Sequence, residues 1–156
     1  MSAATAEPST ATQPATVRRC TAVAGWSLVV LGVGHASTDV AGRGQRDEAT
    51  RRALDGLEQV QVAMPGLRPT LARLFDGYSL TMALLLVTVG TLLVLIARYA
   101  AQTPALLVAT LWVVVVFAAV GLVLSWLFLP LPSLVGLTVV LVAALVGLVA
   151  AHRPTA

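Results

Sequence analysis

Residues 99–152 contain no Asp, Glu, Lys or Arg. Such a stretch is at odds with a water-exposed surface and suits a bilayer, whose hydrocarbon core of about 30 Å takes roughly 20 helical residues per crossing. Apolar residues make up 58% of the 156-residue chain and charged residues 11%, less than half the roughly 25% of soluble domains. The length allows one domain, which argues against a catalytic domain carried beside a separate membrane anchor.

The net charge of +3 comes from ten arginines against seven acids, with no lysine. No basic stripe with interleaved aromatics is present, so the balance points to a membrane surface and excludes nucleic acid as the expected partner. Arginine used to the exclusion of lysine is consistent with a GC-rich bacterial genome, which places the chain in a bacterial plasma membrane. The single cysteine, Cys20, rules out an intramolecular disulfide.

Residues 1–17 are almost all small or polar and read as a disordered tail. Arg18 and Arg19 then precede a first crossing over about 20–40. A cleaved signal peptide, ending near Gly34 and Ala36, is the competing reading of this run. It is the weaker one, because Cys20, Thr21 and Ala22 stand where a twin-arginine signal has bulky apolar residues. Further crossings are expected at about 77–97, with a possible start as early as Thr70, at 104–128 and at 133–151. Pro104 sits where a first helical turn tolerates its missing N–H, and the prolines of Leu129-Pro130-Leu131-Pro132 mark a tight hairpin. The fold class is therefore an all-α membrane protein, residues 18–153 forming a bundle of four transmembrane helices.

Between the first two crossings, residues 41–76 hold six arginines and five acids. Ala49, Ala53, Leu57, Val60 and Met64 recur at the helical period, with Arg51, Asp55 and Glu58 opposite. Asp47 with Arg51 and Glu48 with Arg52 are acid-before-base pairs four apart. An amphipathic helix over about 47–64 follows, stopped by Pro65-Gly66. Its polar face mixes both signs, which suits capping the bundle better than binding anionic lipid. Four crossings put both termini on one side. The loop arginines are interleaved with acids and the first helix is preceded by Arg18 and Arg19, so the termini are placed in the cytoplasm.

His35, Ser37, Thr38 and Asp39 end the first crossing, and Asp76 and Tyr78 open the second on the same side. His35, Asp39 and Asp76 are the candidate polar site: an imidazole as proton carrier with carboxylates as partners. The competing reading is structural, with His35 near the interface and Asp76 as an N-cap. One His and two Asp from two helices lack a metal-ligand spacing, so no metal is expected. His152 lies at the opposite end of the bundle, roughly 25 Å from His35 by helix rise, so the two histidines cannot ligate one haem; no cofactor is expected. No acid lies near the middle of a crossing, where a proton-coupled transporter normally needs one. A phosphate-binding glycine loop, a CxxC, an HExxH and a nucleophile elbow are all missing. Ser125 has no base at its depth and reads as a packing residue. Gly121 with Ser125, and Ala143, Gly147 and Ala151, are small residues four apart that allow close helix contact.

Gly34-His35, Met64-Pro65-Gly66-Leu67 and Leu74-Phe75-Asp76-Gly77-Tyr78-Ser79 resemble a family of small four-helix bacterial integral membrane proteins of unknown function, distantly DoxX-like. The resemblance covers about residues 20–98 and implies the fold, with no activity to carry over. The chain thus reads as a non-enzymatic, accessory or envelope-associated membrane protein, with the lipid bilayer and a membrane protein or second copy as partners. A small-molecule or proton-handling protein is the alternative. A redox component that borrows a quinone or haem ligand from a partner is a third reading.

Overall fold

The computed structural model of the chain describes residues 12–42, 47–63, 65–100, 103–128 and 131–153. It is all-α, with helices α1 (Thr12–Gly42), α2 (Glu48–Gln59), α3 (Leu71–Tyr99), α4 (Pro104–Phe128) and α5 (Leu131–His152). Four of these are long and apolar enough to cross a membrane: Ala15–Ala41, Leu71–Tyr99, Pro104–Leu127 and Leu131–His152. α4 and α5 are apolar around their whole circumference. Large apolar side chains therefore point outward, with Trp126 79%, Val113 69% and Val135 64% exposed, and Leu84 on α3 is 67% exposed.

The chain divides into two compact units, Met1–Leu28 with Val89–Ala156, and Val29–Thr88. In the first, α4 packs against α5 and the largest fully buried side chains include Leu28, Leu107, Leu111 and Val140. Small residues set the spacing. A Cβ added to Gly25 would lie 2.7 Å from the Gly90 carbonyl oxygen on α3, and one added to Gly147 would lie 2.8 Å from Leu111 Cδ1 and 3.0 Å from Cys20 Cβ. Backbones approach this closely only where side chains are missing. Buried Thr21 donates from Oγ1 to the Val17 carbonyl at 3.0 Å. Ser125 Oγ is buried without a hydrogen-bond partner among the described residues, and its fully buried side chain agrees with a packing role.

In the second unit α1 and α3 again meet through glycine, since a Cβ on Gly32 would fall 2.8 Å from the Ala83 carbonyl oxygen and 3.0 Å from Leu86 Cβ. Ala83 and Leu86 are buried there. α2 buries no residue; its least exposed positions are Leu54 and Leu57. The expected apolar stripe is thus turned: Ala49 and Ala53 are exposed, Val60 is the C-cap, and Met64 lies outside the described residues. Two leucines three apart carry more apolar area than two alanines, and they set the inward face.

Several element ends differ from the sequence expectation. Residues 12–17, expected in the disordered tail, form the first turns of α1, and Val17 is buried; residues 1–11 lie outside the described residues. Pro14 falls in the first turn, where its missing N–H has no intrahelical partner to lose. The same reasoning explains why α5 begins at Leu131 and includes Pro132. α2 ends at Gln59, short of 64, because residues 60–70 pair with each other: Val62 N–H donates to the Pro69 carbonyl at 3.0 Å and Leu71 N–H to the Val60 carbonyl at 2.9 Å. Gln61 and Thr70 form the antiparallel bridge. Gly66 turns the chain at φ 78°, with Pro65 before it, the residues a type II turn requires. α3 starts at Leu71, six residues before 77 and within one residue of the early start at Thr70 that the sequence also allowed, with Thr70 Oγ1 accepting from the Arg73 N–H at 3.4 Å.

Glu48 and Arg52 form the expected pair, Arg52 Nε to Glu48 Oε1 at 3.2 Å. Asp47 serves instead as the N-cap of α2, accepting from the Thr50 N–H at 2.7 Å. Hydrogen bonds from Thr50, side chain first and then backbone, hold the Asp47 carboxyl below the usual aspartate range. A lowered native pKa means that the cap is intact above the ordinary aspartate value and is lost as pH falls through the native one. Protection of the α2 amides, taken relative to their intrinsic exchange rates, should therefore fall below about pH 4, while an Asp47→Ala variant should show the lower protection already at neutral pH.

Candidate functional site at the end of the α1–α3 pair

The candidate residues lie in the second unit. α1 carries His35 and Asp39 one turn apart, half-buried, near its C-terminal end. α3 runs antiparallel to it, with Gly32 against Ala83 and His35 against Ser79. The contact at that level is a hydrogen bond between His35 Nε2 and Ser79 Oγ, 3.1 Å long and partly buried. The same register carries Asp39 to the level of Phe75 and Asp76.

Asp76 is exposed and lies in the second turn of α3. Thr70, not Asp76, supplies the side-chain cap of that helix. Tyr78 is 74% exposed, as an aromatic at a membrane interface would be. Ser37 and Thr38 are turned back on their own helix, donating to the Val33 carbonyl at 2.8 Å and the His35 carbonyl at 2.9 Å. Thr81 likewise donates to the Gly77 carbonyl at 2.7 Å. One direct contact between the two helices at this site joins His35 to Ser79.

Ser79 is the member that sequence reasoning did not single out. The signal was its position three residues after Asp76, one turn further along the same side of α3, but recognising it needs the α1–α3 register. Chemically the pair is an imidazole and a hydroxyl, which can share or pass a proton. Among the described residues no group of three His, Cys, Asp or Glu side chains is placed to hold a metal ion. His152, the other histidine, is bound through Nδ1 to the Leu148 carbonyl of its own helix at 2.8 Å.

Fold and site together define an all-α protein with four membrane-length apolar helices and a small polar contact near one end of the α1–α3 pair. Comparison with protein-family models, with curated proteins and with solved structures returns no match.

Proposed function

We propose that the chain is a multi-pass integral membrane protein of the bacterial plasma membrane, acting without catalysis as an accessory or envelope-associated component. In this reading α1, α3, α4 and α5 cross the bilayer as a bundle with both termini in the cytoplasm, and α2 with the paired segment 60–70 caps the opposite end. The observation that carries it is the outward display of Trp126, Val113 and Leu84 on helices long enough to span hydrocarbon, which only lipid or another apolar protein surface can cover. The distant DoxX-like resemblance belongs to the same proposal. Its partner is a membrane protein or a second copy, engaged through the small-residue faces and α2.

The test is extraction into lipid nanodiscs followed by native mass spectrometry. The accessory reading expects a co-purifying protein or a defined oligomer, and Leu57→Asp, which puts a charge on the inward face of α2, should release it at least tenfold. A chain that stays monomeric and alone under gentle extraction counts against this reading.

The alternative is a small-molecule or proton-handling protein using His35, Asp39 and Asp76. The His35–Ser79 hydrogen bond favours it, because polar side chains from two helices meet there. It expects a bound small molecule or a measurable proton flux that His35→Ala and Asp39→Asn abolish while insertion is retained.

A further inference from the structure

We propose that Arg18, Arg19 and Arg98 hold the phosphate of an anionic glycerophospholipid, one acyl chain of which lies in the groove between α1 and α5. The proposal rests on the membrane reading above and adds a ligand to it. All the residues concerned belong to the first unit. The register that sets Gly25 against the Gly90 carbonyl brings Arg18 on α1 to the level of Ala97 and Arg98 on α3.

There the two helices leave a recess of about 260 Å³ lined by Arg18, Arg19, Ala22, Val94, Ala97 and Arg98. Three cations meet an apolar floor. Among the described residues none of these three arginines has a carboxylate within ion-pair distance, whereas Arg52 on α2 pairs with Glu48. Arg98 lies 5.6 Å above the ring of Tyr99, an aromatic that holds the guanidinium at interface depth. The three guanidinium groups are exposed and open to an external anion.

Arg19 also opens a second, larger recess of about 420 Å³, whose walls include Cys20 and Val23 of α1 and Val142, Ala143 and Val146 of α5. The groove continues along α5 as far as Thr138, about 12 Å from Val146 by helix rise. An apolar channel that begins at a cation matches an amphiphile with a charged head and a hydrocarbon tail. Guanidinium forks take phosphate oxygens in pairs, and basic pockets between crossing helices are where anionic headgroups bind. The position is right for such a lipid, since Arg18 and Arg19 precede the first apolar run and Arg98 ends the second. The arginines of α2 are a poorer match, because acids are interleaved with them.

The experiment uses the full chain in nanodiscs of phosphatidylcholine with an equal share of phosphatidylglycerol, read by native mass spectrometry of retained lipid. The expected result is one phosphatidylglycerol per chain, retained at least tenfold over phosphatidylcholine. Arg18→Gln, Arg19→Gln and Arg98→Gln together should remove that preference, at about fivefold per charge, whereas Arg51→Gln with Arg52→Gln should leave it. Val142→Trp, at an exposed position on the groove wall, should weaken retention without touching the arginines. Equal retention of both lipids by the unmodified chain, or an undiminished preference in the triple variant, overturns the proposal. Competition by millimolar inorganic phosphate or glycerol phosphate also overturns it, by assigning the pocket to a soluble anion. Resistance of each variant to alkaline carbonate extraction separates the two failures: a chain washed off the membrane sinks the membrane reading as well, and an inserted chain without lipid preference sinks this proposal alone.

Discussion

Gly25→Ala and Gly32→Ala should each destabilise the folded chain by about 2 kcal/mol, within the range for overpacking a tight contact, while Gly34→Ala should stabilise it by about 0.5–1 kcal/mol. The three substitutions add the same methyl group to the same helix. They differ in what it meets. At Gly25 and Gly32 it falls 2.7 and 2.8 Å from carbonyl oxygens of α3, backbone that cannot swing away, and at Gly34 nothing lies within 4 Å. Elsewhere in a helix, replacing glycine by alanine removes backbone entropy from the unfolded chain and is favourable; at the two crossing points the separation of α1 and α3 has to widen and buried contacts at Leu86 and Leu93 are lost. Unfolding in mixed micelles by increasing SDS resolves the difference, and a Gly32→Ala midpoint equal to that of Gly34→Ala would show that the close α1–α3 approach is not a feature of the folded protein.

Val116→Arg is the second large effect, and its size depends on the solvent around the protein. Val116 lies halfway along α4 and is 62% exposed. On a water-facing surface such a change is worth at most about 0.5 kcal/mol either way. At the centre of a transmembrane helix arginine costs about 2.5–3.5 kcal/mol by insertion scales. The bilayer reading therefore expects Val116→Arg to reduce the inserted fraction strongly, and Gln59→Arg on exposed α2 to change nothing. Normal accumulation of inserted Val116→Arg protein would argue that this face of α4 meets water or a polar partner.

The long helices were legible in the chain because they depend on run length and missing charge, which survive any ambiguity of phase. Their ends were less so. Pro14 lay in the expected tail and Pro132 in the expected hairpin, yet both occupy first turns where a proline costs no hydrogen bond. The end of α2 was hidden because residues 60–70 satisfy their backbone groups on each other, a pairing that depends on the Pro65-Gly66 turn and leaves no periodic trace. In the polar site His35 stood out as a histidine in an apolar run, whereas Ser79 needs the antiparallel register to be seen as its partner. Gly25 and Gly32, seven residues apart on α1, carried a packing signal that an apolar run rich in small residues obscured. The arginines at positions 18, 19 and 98 were legible as a topology signal, and only the fold brings them around one recess.

Accessibility of single cysteines in intact membranes tests the central claim most directly. In a Cys20→Ala background, cysteines replacing Val30, Leu84, Val116 and Val142 probe the exposed faces of the four apolar helices, and one replacing Gln59 probes α2. A membrane-spanning chain predicts that a charged, water-soluble maleimide labels the Gln59 position and leaves the other four unlabelled until the membrane is dissolved. Labelling of Val116 and Val142 positions as fast as that of Gln59 would contradict the account.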